Sequence, residues 1–250
     1  MAKNRVVFTV TLGELAEVPG TPFAYWAPKS LRDLFQKFPP LDRDVARMPD
    51  KPKIADVKSG LGTGDDLRFT RFWWEVPVEE VGTSKEETFQ GKKWVPFAKG
   101  GKPFYYDIQL VVNWENGGKE IKAYRDANGR QLSRPQNESF YFRAGLVGER
   151  GHEFSVAVQE GRLGMAYLPN GAIFSSRAIG IFSAEPWTLL GWLRAHILQI
   201  LINVLRERGS GELGEISKLP FIIKNQKASV LAFLSREAHD RLREWATGDE

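Results

Sequence analysis

The hydrophobic and polar positions along the chain follow two different periods. Over residues 68–177, short aromatic and β-branched runs alternate with Gly, Asn and Pro, a pattern typical of antiparallel strands joined by turns. Over residues 187–205, apolar residues recur every three or four positions, which predicts a long helix with a broad buried face. A second helix is predicted near residues 228–246. The pattern therefore predicts an α+β fold, with a mainly antiparallel β-sheet, a long supporting helix and a C-terminal helix.

Local signals place the individual elements within this outline. A short helix is predicted after Ser30, which can cap it, and Pro39-Pro40 ends that helix. Residues 39–66 have no sustained period, and we interpret them as a long loop or a linker. Asn116-Gly117-Gly118 and Ala127-Asn128-Gly129 predict hairpin turns, because Asn and Gly accept positive φ. The predicted strands are residues 6–12, 69–76, 94–98, 105–114, 139–143, 154–158 and 172–174.

The composition is that of an ordinary globular protein, and it narrows the chemistry. The 250 residues are 42% hydrophobic and 26% charged, which excludes disordered and low-complexity classes. The absence of cysteine removes disulfides, thiolate nucleophiles and cysteine zinc sites, and three histidines far apart in sequence give poor support to a metal site. No signal-peptide pattern opens the chain, and polar residues interrupt the 187–205 stretch. We therefore expect a cytoplasmic protein without a membrane span or a bound metal.

The charge is nearly balanced, so an attraction to polyanions depends on local clusters. Lys and Arg number 35 against 31 Asp and Glu, for a net charge of +4. Between residues 58 and 106, cations alternate with aromatic residues, which favours nucleic acid because cations neutralise phosphates and rings stack on bases. Alternatively, these aromatic residues belong to the core, with strand alternation placing one of Trp73 and Trp74 inside and the other outside. This basic and aromatic belt comprises Lys58, Arg68, Arg71, Trp73, Trp74, Lys85, Lys92, Lys93, Trp94, Lys99, Lys102, Tyr105 and Tyr106.

A glycine-rich string at residues 60–65, Gly-Leu-Gly-Thr-Gly-Asp, is similar to loops that bind S-adenosylmethionine or a nucleotide. Such loops need a buried strand before the glycines and a helix after them, so that backbone amides at the helix N-terminus face the ligand. Here the preceding residues are rich in Pro and Lys, and the following residues are strand-like. We therefore interpret the string as a turn that positions Lys58, Asp65 and Arg68, with glycines that permit a close backbone approach.

A nuclease-like set of residues is a further candidate. Asp107 precedes the Glu120-Ile121-Lys122 triplet, and two acids with a lysine can hold a magnesium ion and activate water. Glu120 and Lys122 would share one face of a strand, where an exposed ion pair is the simpler interpretation. A third class of function is a protein-interaction module, in which the belt docks a partner subunit or an inhibitor and DNA is not touched.

Residues 60–76 read Gly-Leu-Gly-Thr-Gly-Asp-Asp-Leu-Arg-Phe-Thr-Arg-Phe-Trp-Trp-Glu-Val. This string resembles a phrase of the large adenine-specific DNA methyltransferases of type IIG restriction–modification and BREX phage-defence systems. It departs from the family at Asp66-Leu67, where Asn and a polar residue are common, and the chain departs again at residues 147–151. Further phrases resemble the same family, in the same order, at residues 19–26, 94–101, 111–122 and 137–146. Residues 189–193 and 213–220 resemble TaqI-like specificity domains.

The resemblance, over residues 15–222, implies a target recognition region. The S-adenosylmethionine-binding and Asn-Pro-Pro-Tyr motifs of the family lie upstream of the matched phrases, and this chain contains neither. The resemblance implies three regions. Residues 1–50 would form a strand and a short helix that lead in from an upstream catalytic domain absent from this chain. Residues 51–225 would form a target recognition domain, and residues 226–250 a C-terminal helix. The expected partners are double-stranded DNA and the methyltransferase domain or subunit. The chain itself is expected to hold no catalytic residue, cofactor or metal, and not to methylate DNA alone.

The matched phrases also imply which residues contact DNA. Most protein–DNA hydrogen bonds reach phosphates and sugars, so lysines in these phrases are expected at the backbone. Arg68 and Arg71 are the candidates for guanine edges, because one guanidinium can bond O6 and N7 together. The full expected set is Lys58, Thr63, Arg68, Arg71, Lys99, Asn113 and Arg143.

Overall fold

The computed structural model describes residues 7–150, 164–206, 213–223 and 225–248. Within these ranges the architecture is α+β, with two mostly antiparallel sheets and a C-terminal helix, which confirms the predicted fold class. The strands are β1 (Asp56–Ser59), β2 (Thr70–Phe72), β3 (Trp94–Ala98), β4 (Leu110–Asn113), β5 (Gly145–Glu149), β6 (Met165–Leu168), β7 (Ile173–Phe174) and β8 (Ala178–Phe182). The helices are α1 (Leu12–Leu15), α2 (Lys29–Lys37), α3 (Arg43–Ala46), α4 (Asp66–Phe69), α5 (Lys85–Thr88), α6 (Glu115–Lys122), α7 (Pro186–Leu193), α8 (His196–Leu205), α9 (Leu213–Ser217) and α10 (Asn225–Thr247).

The first sheet has the strand order β1-β8-β5-β6, and each neighbouring pair is antiparallel. Val57 of β1 lies opposite Ile181 of β8, and both side chains are buried. Buried residues of α2, α7, α8 and α9 pack with this sheet in one hydrophobic cluster. This cluster supplies the larger of the two cores, since burial of apolar area is the main favourable contribution to folding.

The second sheet has the strand order β2-β4-β3-β7, in which β4 runs antiparallel to β2 and β3, and β7 runs parallel to β3. Its core contains Phe69, Phe97 and Trp114, together with Ile121 from α6. All four side chains are at most 2% exposed. Strand β2 lies at the edge, so the residues that follow it are presented to solvent.

Two chain segments cross side by side between the sheets. One leads out of β1 through Leu61, and the other leads from β7 into β8 through Ser175. The Leu61 amide donates to the Phe174 carbonyl at 2.8 Å, and the Ser176 amide donates to the Leu61 carbonyl at 2.9 Å. These hydrogen bonds fix the sheets relative to each other and place residues 62–66 at their junction.

Several predicted strands were wrong or too long. Residues 7–11 are not a strand, because Thr11 and Glu14 form a capping box that begins α1. The strand predicted at 69–76 is limited to β2, between α4 and a 3₁₀ helix at Trp73–Glu75. The strand predicted at 139–143 is replaced by a 3₁₀ helix at Glu138–Phe140, after Asn137 in the left-handed region. Strands 94–98, 105–114 and 172–174 correspond to β3, β4 and β7, and 154–158 lies outside the described residues.

Four strands were missed because their sequences do not alternate. All five residues of β8 are buried, and glycines interrupt β5 at both its first and fourth positions. Strand β1 lies inside the segment that we interpreted as a loop or linker, where Val57 is the buried residue of its Asp-Val-Lys-Ser sequence. Strands buried on both faces read as continuous apolar runs, which periodicity alone does not distinguish from other buried segments.

The predicted turns had different outcomes. Asn128 and Gly129 lie in a turn closed by a bridge between Arg125 and Gln131, and Gly129 has φ of 78°, as predicted. Residues 116–118 also have positive φ, but they lead β4 into the helical part of α6 rather than into a second strand. Glu120 and Lys122 are therefore on a helix, and the expectation that they share a strand face was wrong.

The long supporting helix is two helices. Helices α7 and α8 meet at 78°, because Ala195 takes an extended conformation between them. Pro186 occupies the first turn of α7, as predicted. In the described ranges, no single helix combines the length and apolar character that a membrane span requires, and only the bent α7–α8 pair does so when taken together.

The short helix predicted after Ser30 is α2. It ends at Lys37, before the two prolines, and Phe35 on its apolar face is 1% exposed. It begins earlier than expected, with Pro28 at the N-cap, so Ser30 lies inside the helix and does not cap it.

Replacing Gly60 with alanine should destabilise the junction between the sheets. A Cβ atom at Gly60 would overlap the Phe174 carbonyl, whose oxygen belongs to backbone and cannot rotate away. We expect a loss of about 2–4 kcal/mol in the free energy of unfolding, measured by denaturant titration. Gly214→Ala is the matched control, since a Cβ there meets nothing within 4 Å and we expect little change. Equal stability of the two variants would contradict this account of the junction.

Candidate nucleic-acid interface

The segment between β1 and the 3₁₀ helix at Trp73–Glu75 frames the candidate site. Gly62 pairs with Arg134 on one side of the junction, and the Asp65 side chain accepts the Arg68 amide at 3.1 Å to cap α4. Strand β2 then pairs with β4. The segment therefore places its expected DNA-contacting residues next to side chains from β3, β4 and α6.

Asp66 is the centre of the first group of side chains. Lys99, which follows β3, places Nζ 2.5 Å from Asp66 Oδ2, and Thr63 Oγ1 donates to Asp66 Oδ1 at 2.6 Å. Partial burial opposes ionisation of Asp66, but hydrogen bonds from Lys99 and Thr63 and the charges of Lys99 and Arg177 outweigh it and lower the pKa of the carboxyl. The departure from the family phrase at residue 66 therefore places a carboxylate against one of the expected DNA contacts.

A small polar cleft opens beside this group. It has a volume of about 200 Å³ and lies at the junction of the two sheets. Thr63, Asp66 and Lys99 line it together with Ser175 and the exposed Arg177. With two cations and one anion, the cleft can accept a single negative group such as a phosphate oxygen.

Glu120 is the centre of the second group. Its Oε1 accepts from Arg68 Nη2 at 3.0 Å and from Arg68 Nε at 3.3 Å, and its Oε2 accepts from Asn113 Nδ2 at 2.9 Å. The guanidinium of Arg68 also lies 5.0 Å from the Tyr124 ring centroid. Two expected DNA contacts, Arg68 and Asn113, thus share one carboxylate.

Arg71 differs from Lys99 and Arg68, because no carboxylate within the described residues pairs with it. Its Nη1 donates at 2.7 Å to the carbonyls of both Leu67 and Thr70, and its guanidinium lies 5.9 Å from the Trp94 ring centroid. The side chain is exposed on the edge strand β2. Arg71 therefore presents an uncompensated positive charge in a fixed position.

Three aromatic residues follow Arg71 on the surface. Phe72, Trp73 and Trp74 are 41%, 52% and 54% exposed, so the alternative in which one of the two tryptophans packs in the core does not hold. The reason is the 3₁₀ helix that begins at Trp73, which ends the strand period. The Phe72 and Trp74 rings stack with centroids 4.6 Å apart, and Trp73 meets Trp74 edge to face. We call these three side chains the ring cluster.

Lys58 and Arg143 lie apart from these groups and share a different ring. Lys58 Nζ lies 3.0 Å from Asp56 and 3.5 Å from the fully buried Asp42, so it compensates a buried charge. Arg143 is exposed, with its guanidinium 5.0 Å from the Phe140 centroid, and Lys58 Nζ lies 5.5 Å from the same ring. Of the two, Arg143 has the more accessible charge.

The structure thus assembles the seven expected residues unevenly. Thr63 and Lys99 form one pair, and Arg68 and Asn113 form another. Arg71 belongs to neither pair. Lys58 and Arg143 lie together at a separate location. Sequence reasoning missed Asp66 and Glu120 as the carboxylates of the two pairs, and it missed Arg177. Nothing in the local sequence signals a contact such as Arg68 with Glu120, which are 52 residues apart.

The glycine-rich string does not fit a nucleotide-type cofactor, although for different reasons than the sequence suggested. A strand and a helix do flank it, but α4 has only four residues, and the Asp65 carboxylate occupies its N-terminus. A Cβ at Gly60 or Gly64 would meet protein backbone at Phe174 or Leu132, so these glycines accommodate the protein itself. The absence of a cofactor from this chain stays a prediction.

The nuclease-like set gains no support from the structure. Glu120 is engaged by Arg68 and Asn113, and Lys122 pairs with Glu138 at 2.5 Å. Across the part of the chain that the structure describes, no three His, Asp or Glu side chains are placed to hold a metal ion.

The first pair of contacts makes a pH-dependent prediction. Lys99→Gln should raise the pKa of Asp66 toward its ordinary value of 3.8, because the strongest pKa-lowering partner is removed. Since the folded pKa is depressed, the stabilisation from this group is present above about pH 4 and is lost as pH falls through the lowered pKa. Carbon-detected NMR titration of the Asp66 carboxyl measures the shift, with Lys102→Gln as the matched charge control. Identical Asp66 titrations in the two variants would contradict the assignment.

Both curated relatives found by comparison with known proteins are described as adenine-specific methyltransferases. No family model matches the sequence. The chain is 27% identical over 212 residues to the adenine-specific methyltransferase PglX of Lacticaseibacillus casei (strain Zhang), an alignment that covers 82% of this chain and 16% of the relative. It is 24% identical over 226 residues to the adenine-specific methyltransferase BrxX of Escherichia coli O9:H4 (strain HS), covering 88% of this chain and 16% of the relative.

A solved structure is also similar. The type IIG restriction endonuclease BpuSI aligns with a TM-score of 0.40 and 13% identity, over 84% of this chain and 28% of that one. The chain spans 16% of the length of each curated relative above. Over most of its own length, the chain is therefore similar to one part of the adenine-specific methyltransferases PglX and BrxX, in agreement with the family resemblance of its sequence phrases.

Proposed function

We propose that this chain is the DNA sequence recognition unit of a site-specific N6-adenine methyltransferase of a restriction–modification or phage-defence system. The observation that carries the proposal is the uncompensated, fixed guanidinium of Arg71 beside the exposed ring cluster of Phe72, Trp73 and Trp74. The named activity of PglX and BrxX supplies the context. A recognition unit of such an enzyme must hold duplex DNA and read its bases.

Arg71 has the donors that base reading requires. Its Nη1 is committed to two backbone carbonyls, which leaves the Nε and Nη2 edge without a hydrogen bond to any described residue. That edge carries two parallel donors, which match the O6 and N7 acceptors of guanine in the major groove. Anchoring to backbone lowers the entropy that the side chain loses when DNA binds.

The ring cluster adds a planar apolar surface next to this cation. Aromatic side chains stack on exposed bases or insert between base steps, and such contacts tolerate many sequences. Base flipping costs a few kcal/mol, and contacts from a recognition unit help to offset it. The ring cluster therefore suits a protein that holds a duplex while another domain extracts the target adenine.

Methyl transfer itself is assigned to a separate methyltransferase domain or subunit. S-adenosylmethionine supplies the methyl group in such enzymes, and the glycine-rich string of this chain does not fit it. We accordingly propose that the residues of this chain orient DNA and that catalysis depends on the partner domain. We also propose that the protein acts in the cytoplasm.

A protein-interaction module is the second candidate, and one observation favours it. Helix α10 exposes several large apolar side chains, which a partner subunit could cover. They are Val230 at 58%, Phe233 at 63%, Leu234 at 56% and Trp245 at 84% exposure.

Selection from a randomised duplex pool distinguishes these two functions. We expect the chain to retain DNA at low salt and to enrich a short motif containing adenine. Retention should fall steeply as salt increases, because neutralised phosphates release counterions. No retention at low salt would reject DNA recognition, and apolar docking to a protein would then be favoured because it depends little on ionic strength.

Arg71→Ala tests the residue that carries the proposal. We expect affinity for the enriched duplex to fall by about 1–3 kcal/mol, since a bidentate base contact is lost. Arg241→Ala is the control, because it removes the same charge from α10, where the side chain is 80% exposed. Fluorescence anisotropy with both folded variants measures the difference. Equal affinities would remove Arg71 from the interface.

A further inference from the structure

The contact between Arg68 and Glu120 indicates that a carboxylate, and not only the cations, has a role on this surface. Resting on the DNA recognition proposed above, we propose that Glu120 is a specificity-determining residue, which withholds Arg68 from backbone phosphates and thereby suppresses sequence-independent binding. Its ligand is duplex DNA, and its effect is on which DNA the surface retains.

Glu120 occupies the donor edge of the Arg68 guanidinium. Both Nε and Nη2 of Arg68 donate to the same oxygen, Glu120 Oε1, at 3.3 and 3.0 Å. This is the edge through which an arginine would approach a phosphate or a guanine. Phosphate binding by Arg68 therefore requires that the contact with Glu120 be broken.

A second hydrogen-bond partner, Asn113, holds the Glu120 carboxylate in place. Asn113 is 6% exposed and donates to Glu120 Oε2, while its own Oδ1 accepts the Glu115 amide at 3.3 Å. The Tyr124 ring centroid lies 5.0 Å from the guanidinium of Arg68. Hydrogen bonds to both carboxylate oxygens thus hold the negative charge of Glu120 at this position on the surface.

The ion pair between Arg68 and Glu120 is weak enough to be exchanged. Both side chains are 51% exposed, and exposed ion pairs contribute little to stability, so the contact can open when a better partner is offered. A phosphate is a poor replacement, because it presents only negative acceptors and is repelled by the carboxylate that remains. A base pair is a better one, since guanine offers O6 and N7 to Arg68 and cytosine offers an N4 donor to a carboxylate.

The neighbouring groups show the same division of charges. Lys99 is compensated by Asp66, whereas Arg71, three residues after Arg68, has no carboxylate partner among the described residues. The surface therefore combines cations that a carboxylate restrains with cations, such as Arg71, that no carboxylate among the described residues restrains. Such an arrangement limits general attraction to DNA while keeping donors for specific sites, which raises the ratio of specific to non-specific affinity.

Glu120→Gln is the central test, with Glu115→Gln as its matched control. Glutamine retains an oxygen that can accept from Asn113 but loses the negative charge that restrains Arg68. Glu115 is exposed at the start of α6, and its side chain forms no hydrogen bond or ion pair with another described residue, so its variant removes the same charge nearby. Thermal melting of both variants establishes that they are folded.

Binding is measured with a mixed-sequence duplex of about 24 base pairs at several salt concentrations. For Glu120→Gln we expect about three- to tenfold tighter binding at low salt and a log–log salt slope steeper by about 0.9, which corresponds to one added phosphate contact. Glu115→Gln should change affinity less than about twofold, because it frees no cation and removes only a partly screened, long-range repulsion between exposed like charges. On the enriched duplex, Glu120→Gln should lower the specificity ratio.

Two further variants separate the contact from the net charge. Glu120→Asp keeps the charge but shortens the side chain, so it should also strengthen non-specific binding if freeing Arg68 is the cause. In an Arg68→Met background, Glu120→Gln should produce no more than the Glu115→Gln effect. If the wild-type chain binds DNA but Glu120→Gln and Glu115→Gln increase its affinity equally, this inference alone is overturned. If the wild-type chain does not bind DNA at low salt, the proposed function is overturned as well.

Discussion

The hydrogen-bonded crossing of two chain segments between the sheets is the constraint on which the remaining structure depends. Leu61 exchanges backbone hydrogen bonds with Phe174 and Ser176, and Gly60 lies so close to Phe174 that no side chain fits between them. Because both cores are attached to this crossing, the residues just after it have little freedom. Thr63 and Asp66 are consequently fixed at the junction, and the order of side chains along α4 and β2 follows from that starting point.

The charges near the junction are arranged by pairing more than by accumulation. Asp66 compensates Lys99, Glu120 compensates Arg68, and the buried Asp42 is compensated by Lys58. A count of lysines and arginines along the sequence would overestimate the positive potential of this surface. What distinguishes one cation from another is whether its counter-charge is fixed by a third group, as Asn113 fixes Glu120.

The sequence predicted the fold class, β3 and the helices α2 and α10, because each has a local pattern or a clear terminator. It failed where a residue's state depends on distant packing. Ala195 is neither glycine nor proline, yet the chain bends there, and Trp73 leaves the strand period by entering a 3₁₀ helix. The expected DNA contacts could be selected from phrases of the sequence, but the partner of Arg68 could not, since α6 is brought to it only by the pairing of β2 with β4.

The shortness of β2 has a consequence for the behaviour of the protein at high concentration. An edge strand with exposed aromatic residues is a template on which other chains can add strands and aggregate. Here the strand has only three residues, and the 3₁₀ helix at Trp73–Glu75 turns the backbone out of the sheet before a longer ladder can form. Short edges of this kind resist intermolecular pairing. At this edge the chain can therefore display three large rings to solvent with only a short stretch of unpaired strand backbone beside them.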